Sequence, residues 1–242
     1  MRAIKYFGII IVLISAIQGL WGCSPASQDK GAKPSPPIQF GTLPVIQALP
    51  LFVAAEKGYF KEAGLNVELV PFNSAMEKDV AMSAGQISGY FGDMITPIVL
   101  TANGTLVKIV AAYFNAQSEQ RMFAILAAPK YPKKDLQSLA SDGIACSSNT
   151  MLDYLMTRLL GKKGIAANKI NLVEVKSIPI RLQMLMSEQV PAAVLPEPLV
   201  TLAEMKGARV IIDDRRTGMT GTVLVFSDQL LAKNQEIVKT FI

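Results

Sequence analysis

Cys146-Ser147-Ser148-Asn149-Thr150 sets hydroxyl and amide side chains in succession ahead of an amphipathic helical pattern. At a helix N-terminus such groups stand beside unpaired backbone N–H donors, an arrangement that can cradle a small anion. Ser, Asn and Thr also cap helices, so Ser147, Ser148, Asn149 and Thr150 read as a cap, a cradle or both. Glu197, fixed between Pro196 and Pro198, would receive an amine or N–H from a ligand or cap the helix that follows it. Asp93, followed by Met94, carries the same two readings. Pro44 and Gln47 in the loop 43–47, Asn73 with Ser74, and Tyr113 complete the candidates, although an aromatic such as Tyr113 fits the core equally well. Only Arg181 and Arg121 fall near these loops, so an anion would rest mainly on neutral donors and a helix terminus.

The composition narrows the chemistry. The chain has 242 residues, of which 50% are hydrophobic and 18% charged, as in a globular protein. It has no histidine, which excludes Ser-His-Asp and Cys-His catalytic units and histidine-ligated zinc. Its two cysteines, Cys23 and Cys146, are too few for a metal cluster or a disulfide framework. No catalytic residue, metal ligand or cofactor is expected. The composition therefore argues against most hydrolase and metalloenzyme readings.

The elements that must position the candidate loops alternate along the chain. Strand patterns at 38–42, 66–71, 87–92 and 106–113 are separated by helical patterns at 48–62, 75–84 and a short one ending at Asn103-Gly104. The second half repeats the rhythm. Strands are expected at 122–128, 143–146, 171–176, 192–195, 210–212 and 223–226, with helices at 148–160, 181–187, 199–205 and from about 234. This alternation predicts an α/β fold of doubly wound, mostly parallel sheets. In such sheets ligands sit beyond the carboxyl ends of the strands, which is where the candidate loops fall. The halves also echo each other. Met82-Ser83-Ala84-Gly85-Gln86-Ile87 leads to Phe91-Gly92-Asp93, and Met186-Ser187-Glu188-Gln189-Val190 leads to Leu195-Pro196-Glu197, which predicts two lobes of similar build.

The first 22 residues read as an address. Arg2 and Lys5 precede the apolar run 7–20, about 21 Å long as a helix and short of a ~30 Å bilayer core. Leu20-Trp21-Gly22-Cys23 resembles the bacterial lipobox, which implies cleavage before Cys23 and lipidation of its thiol. Arg2 and Lys5 supply two of the 24 basic residues, so without the leader 22 basic stand against 19 acidic residues, or +3. No basic cluster with interleaved aromatics remains, and nucleic acid is not expected as a partner. The four prolines of 24–37 mark a tether.

The stretch AAEKGYFKEAGLNVELVPF, residues 54–72, resembles bacterial ABC-transporter substrate-binding lipoproteins, in the group that takes alkanesulfonates, taurine, nitrate and thiamine-pyrimidine precursors. The matching residues are Lys57-Gly58-Tyr59-Phe60, Gly64-Leu65-Asn66-Val67-Glu68, Asp135-Leu136, Gly143-Ile144-Ala145, Glu197-Pro198 and Gln235-Glu236-Ile237-Val238. Ser88 and Pro191 stand where the family usually has aspartate, and Gln189 where it has glycine. The resemblance implies a two-lobed periplasmic-binding-protein fold of the two-crossover kind. A signal peptide would span 1–22, a tether 23–37, lobe 1 38–115 and lobe 2 116–213, with 214–242 returning to lobe 1 and ending early relative to the family. It further implies a monomeric, extracytoplasmic lipoprotein at the cell membrane, presenting a small solute, best a sulfonate-like anion, to an ABC permease and its ATPase. Two alternatives remain open at this level: an enzyme of the pyrimidine-precursor or chorismate type, and a sensory solute-binding lipoprotein.

Overall fold

The computed structural model describes residues 37–115, 119–132, 135–215, 217–218 and 220–242. The expected leader, Cys23 and all of the tether except Pro37 lie outside them. The first half of the chain runs β1 (Ile38–Thr42), a 3-10 turn (Ile46–Ala48), α1 (Leu49–Lys57), α2 (Tyr59–Glu62) and β2 (Val67–Pro71). It continues through α3 (Ala75–Ser83), β3 (Gly89–Asp93), α4 (Ile95–Ala102) and β4 (Val107–Asn115). The second half runs β5 (Phe123–Ala127), α5 (Leu136–Asp142), β6 (Ile144–Cys146), α6 (Met151–Gly161), a 3-10 turn (Ala167–Lys169) and β7 (Leu172–Glu174). After α7 (Ile178–Met186), β8 (Ala192–Pro196), α8 (Leu199–Met205) and β9 (Arg209–Asp213), the chain closes with β10 (Thr220–Ser227), α9 (Asp228–Lys233) and α10 (Gln235–Phe241).

Two five-stranded sheets result, ordered β2-β1-β3-β10-β4 and β7-β6-β8-β5-β9. Three parallel strands in each are followed by one antiparallel strand and an edge strand. The antiparallel strand is in each case the one that has just crossed from the other lobe, β5 or β10. The sheets are therefore mixed rather than wholly parallel, and the same order in both makes the lobes topological copies. Both belong to one compact unit. Among the described residues no helix is long and apolar enough to cross a membrane.

Each lobe has its own core. In lobe 1, Phe40, Phe60, Phe226 and Phe241 interlock with ring centroids 4.6–5.3 Å apart. In lobe 2, Ile125, Leu139, Ile144, Met156 and Leu160 pack with exposures of 1% or less. Burial of side chains of this size stabilises by roughly 1.5–3 kcal/mol each. Gly89 is forced by this packing, because a Cβ there would stand 2.6 Å from the Phe226 ring. The expected helix over 48–62 is broken in two by Gly58, whose φ of +80° terminates α1. Helices α5 and α9 were not foreseen. They are short and start at the side-chain caps Asp135, which accepts from Ser138 N at 2.7 Å, and Ser227, which accepts from Leu230 N at 3.2 Å.

Candidate ligand-binding site

The carboxyl ends of β1, β3, β6 and β8 face a narrow cavity of about 60 Å³ between the lobes. Leu43, Val45 and Phe91 from lobe 1 and Phe123, Leu152 and Ile178 from lobe 2 give it largely apolar walls. Contacts across the cleft hold the lobes together around it. Ile178 N donates to Asn73 O at 2.9 Å, and Ile46 N donates to Glu197 O at 2.8 Å. The Lys176 ammonium lies 3.0 Å from Met76 Sδ. The conformation is thus a closed one.

Four of the candidates from the sequence, Gln47, Asp93, Ser147 and Thr150, line this cavity. Gln47 sits in the 3-10 turn after β1, is 2% exposed, and its Oε1 has no hydrogen-bond partner. Asp93 ends β3. Its Oδ1 accepts from Ile95 N at 2.8 Å and Thr96 N at 2.7 Å, capping α4, and its Oδ2 reaches Met151 N of lobe 2 at 3.5 Å. Thr150 precedes α6 but gives it no side-chain cap; its hydroxyl donates to Ser147 O at 2.7 Å. The first turn of α6 is thereby met in part by a carboxylate from the opposite lobe.

The other candidates do not line the cavity, and each has local work. Ser74 caps α3 by accepting from Glu77 N at 3.2 Å, beside Asn73, whose N donates to Glu77 Oε2 at 3.1 Å. Ser148 N donates to Glu174 Oε2, and Asn149, at φ +58°, donates its N–H to Asp153 Oδ2, each at 3.1 Å. Glu197 takes Arg121 on Oε1 at 2.7–2.9 Å and caps α8 by accepting from Thr201 N on Oε2 at 3.0 Å. Tyr113 packs edge-on to Phe91 at 5.4 Å in the lobe 1 core, where burial pushes its hydroxyl up to about 12. Pro44 lies in the loop after β1, and Met94 is largely exposed.

The residue that most changes the electrostatics is Arg181, fourth in α7, fully buried and lining the cavity. Its Nε and Nη2 donate to Val175 O at 3.1 and 2.9 Å, and Nη1 donates to Val194 O at 2.8 Å. No carboxylate among the described residues lies within ion-pair distance of it. Burial lowers its pKa, partly countered by the Glu174 carboxylate beyond ion-pair distance, but a guanidinium stays charged at neutral pH. The three carbonyl contacts leave guanidinium N–H capacity unspent, so the cavity wall carries a fixed positive charge suited to an anion. The sequence marked Arg181 only as lying near a loop. The stronger signal was a lone arginine at an inward position of the apolar helix IPIRLQMLM. Thr222 of β10 was also missed; it is 5% exposed, lines the cavity and leaves its hydroxyl unpartnered.

The family model described as NMT1/THI5 like matches residues 45–242. The chain belongs to that family. No curated protein matches it by sequence. Among solved structures, it is similar to the alkanesulfonate-binding protein SsuA of Xanthomonas axonopodis pv. citri bound to MOPS. That match has 19% identity and a TM-score of 0.72, over 84% of this chain and 70% of that one. The periplasmic aliphatic sulphonate binding protein SsuA of Escherichia coli aligns at 19% identity and TM-score 0.65, over 85% and 70% of the two chains. The periplasmic nitrate-binding protein NrtA of Synechocystis PCC 6803 aligns at 16% identity and TM-score 0.71, over 84% and 58%. At these identities the likeness establishes a shared two-lobed periplasmic-binding-protein fold.

Proposed function

We propose that the chain is the solute-binding component of an ABC importer, tethered to the extracytoplasmic face of the cell membrane through a lipid on Cys23, and that it traps a small organic anion between its lobes. The observation that carries this reading is Arg181, a fully buried cation on the wall of an inter-lobe cavity, with no carboxylate within ion-pair distance among the described residues. An anion there would offset the cost of burying that charge. The apolar walls suit a short aliphatic group attached to it, as in a sulfonate. Likeness in fold to SsuA and NrtA supports capture of a solute and its delivery to a permease. A binding rather than catalytic role fits the lack of histidine and the state of Cys146, whose thiol burial pushes up to about 11.

Calorimetry on residues 24–242 with short sulfonates, carboxylates and nitrate tests the reading. Saturable binding that disappears in Arg181→Met is expected. Binding of neutral or cationic solutes alone would refute the anion assignment. Labelling with radioactive palmitate, abolished by Cys23→Ser, tests the anchor.

A further inference from the structure

The loops that follow β2 and β7 meet across the cleft. Ile178 N donates to Asn73 O at 2.9 Å, and this backbone bond holds the two loops in register. Three residues beyond Asn73, Met76 stands in the first turn of α3; two residues before Ile178, Lys176 leads into α7. Their side chains meet, with the Lys176 ammonium donating to Met76 Sδ at 3.0 Å. Among the described residues that sulfur is the only hydrogen-bond or ion-pair partner of the ammonium. Met76 is 45% exposed, so oxidants in solution reach it. Met94 and Met205 are exposed as well, but neither thioether has a donor on it among the described residues.

A thioether is a weak acceptor, so the contact as it stands contributes little to closure. A sulfoxide is polar, and its oxygen accepts a charge-assisted hydrogen bond from an ammonium far better. We infer that Met76 is a redox modification site, at which oxidation by a hydroperoxide turns the Lys176 contact into a latch that holds the lobes closed. In that step a sulfur lone pair attacks one peroxide oxygen, and the S–O bond forms as the O–O bond breaks. The sulfur loses two electrons to the peroxide. The departing oxygen takes the proton from the transferred one and leaves as an alcohol or, from hydrogen peroxide, as water. An unbranched side chain with three rotatable bonds can turn the new oxygen toward the ammonium. Both partners are exposed, so the gain is that of a surface contact rather than a buried one. Methionine sulfoxide reductases restore the thioether, which makes the latch reversible.

The latch acts whichever solute the cavity takes, so its test needs none. The full chain, with one dye on each lobe, is treated with hydrogen peroxide. Peptide mass spectrometry follows oxidation residue by residue, and single-molecule fluorescence reads the open fraction. As Met76 is converted, the open fraction is expected to fall about two- to fourfold and to recover with methionine sulfoxide reductase. Met76→Leu and Lys176→Met should each abolish the response, although Lys176→Met leaves Met76 oxidisable. Met76→Gln, whose amide oxygen offers Lys176 a permanent acceptor, should lower the open fraction to a similar extent without peroxide. Conversion of Met76 with an unchanged or larger open fraction would overturn the latch, as would a response that persists in Lys176→Met. Met76 left unconverted at peroxide doses that convert Met94 and Met205 would overturn the modification site itself.

Discussion

Lys78 and Arg181 hold matching places in the two lobes. Each is the fourth residue of the helix that joins the outer parallel strand of its sheet to the third, α3 in lobe 1 and α7 in lobe 2, and each is fully buried. Their surroundings differ. The Lys78 ammonium meets Asp79 Oδ1 at 2.6 Å and lies 3.5 Å above the Tyr90 ring, so lobe 1 neutralises its cation from within. Gly92 leaves room for that ring, since a Cβ there would stand 3.0 Å from its edge. Burial lowers the pKa of Lys78 against the pull of Asp79, and burial raises that of Asp79. Among the described residues Arg181 donates only to the carbonyls of Val175 and Val194. Carbonyl dipoles orient a guanidinium without cancelling its charge. One buried cation thus serves the fold of its lobe, and its counterpart is left available to the cleft.

The sharpest way to break this comparison is to remove each charge in turn. Arg181→Met should weaken binding of whichever small anion proves to be the ligand by about 100-fold or more, since charge-assisted hydrogen bonds to a buried anion are lost. Arg181→Lys keeps the charge but not the planar fork and should fall between the two. Lys78→Met should reverse the pattern. Affinity should stay within about threefold, while stability falls by about 1–3 kcal/mol because Asp79 loses its partner. Denaturant unfolding of the double variant Lys78→Met/Asp79→Asn should recover much of that loss. If Lys78→Met abolished binding as thoroughly as Arg181→Met, the division of labour proposed for the two cations would be wrong.

The acidic residues at the carboxyl ends of the third strands, Asp93 closing β3 and Glu197 just past β8, extend the comparison with smaller effects. The side chain of Glu197 is spent inside lobe 2, on Arg121 and on the N–H of Thr201. Arg121 is 17% exposed and shared with Glu204 at 2.6 Å. Glu197→Gln keeps an acceptor for Thr201 N but removes the charge facing Arg121, so a loss of about 1 kcal/mol is expected by thermal unfolding, without a specific loss of anion affinity. A large drop in affinity with unchanged melting would instead place Glu197 at the ligand.

Much of this arrangement was legible in the sequence, for reasons that can be named. Strand and helix periodicity located β1, β2, α3, β6 and α8 closely, because each has an apolar pattern bounded by Gly, Pro or Asn. The echo between 82–93 and 186–197 foretold the equivalence of β3 and β8 with their acidic ends. The strand patterns at 122–128 and 223–226 coincide with β5 and β10, but their antiparallel direction is not legible there, because an isolated apolar strand carries no mark of its direction; that is set by where the crossover enters the sheet. Among the candidate ligand residues, Gln47, Asp93, Ser147 and Thr150 line the cavity because they follow strand ends directly. Ser74 and Glu197 were chosen on the same rule, yet their side chains are committed to caps, an ambiguity that residue type alone cannot resolve. Arg181 was undervalued because helical phase, rather than nearness to a loop, turns it inward.

The smallest expected effect belongs to Asp93. Its Oδ1 is engaged by two N–H groups of α4, and asparagine can keep both contacts through its own Oδ1. What Asp93→Asn removes is the acceptor at Oδ2, which meets Met151 N of the other lobe at 3.5 Å, the long end of the hydrogen-bond range. The charge that faces the N-terminus of α6 is lost with it. The backbone contacts Ile178 N–Asn73 O and Ile46 N–Glu197 O are untouched. Asp93→Asn should therefore shift the balance of open and closed lobes by only a few tenths of a kcal/mol, read as a change of less than about twofold in the open fraction by single-molecule fluorescence between dyes on the two lobes. Asp93→Ala, which also strips the α4 cap, should cost about 1 kcal/mol of stability as well. A wholesale opening in Asp93→Asn would mean that this one carboxylate, rather than the paired backbone contacts, closes the cleft, and that lobe 1 has committed its strand-end acid to the partner lobe where lobe 2 keeps Glu197 for itself.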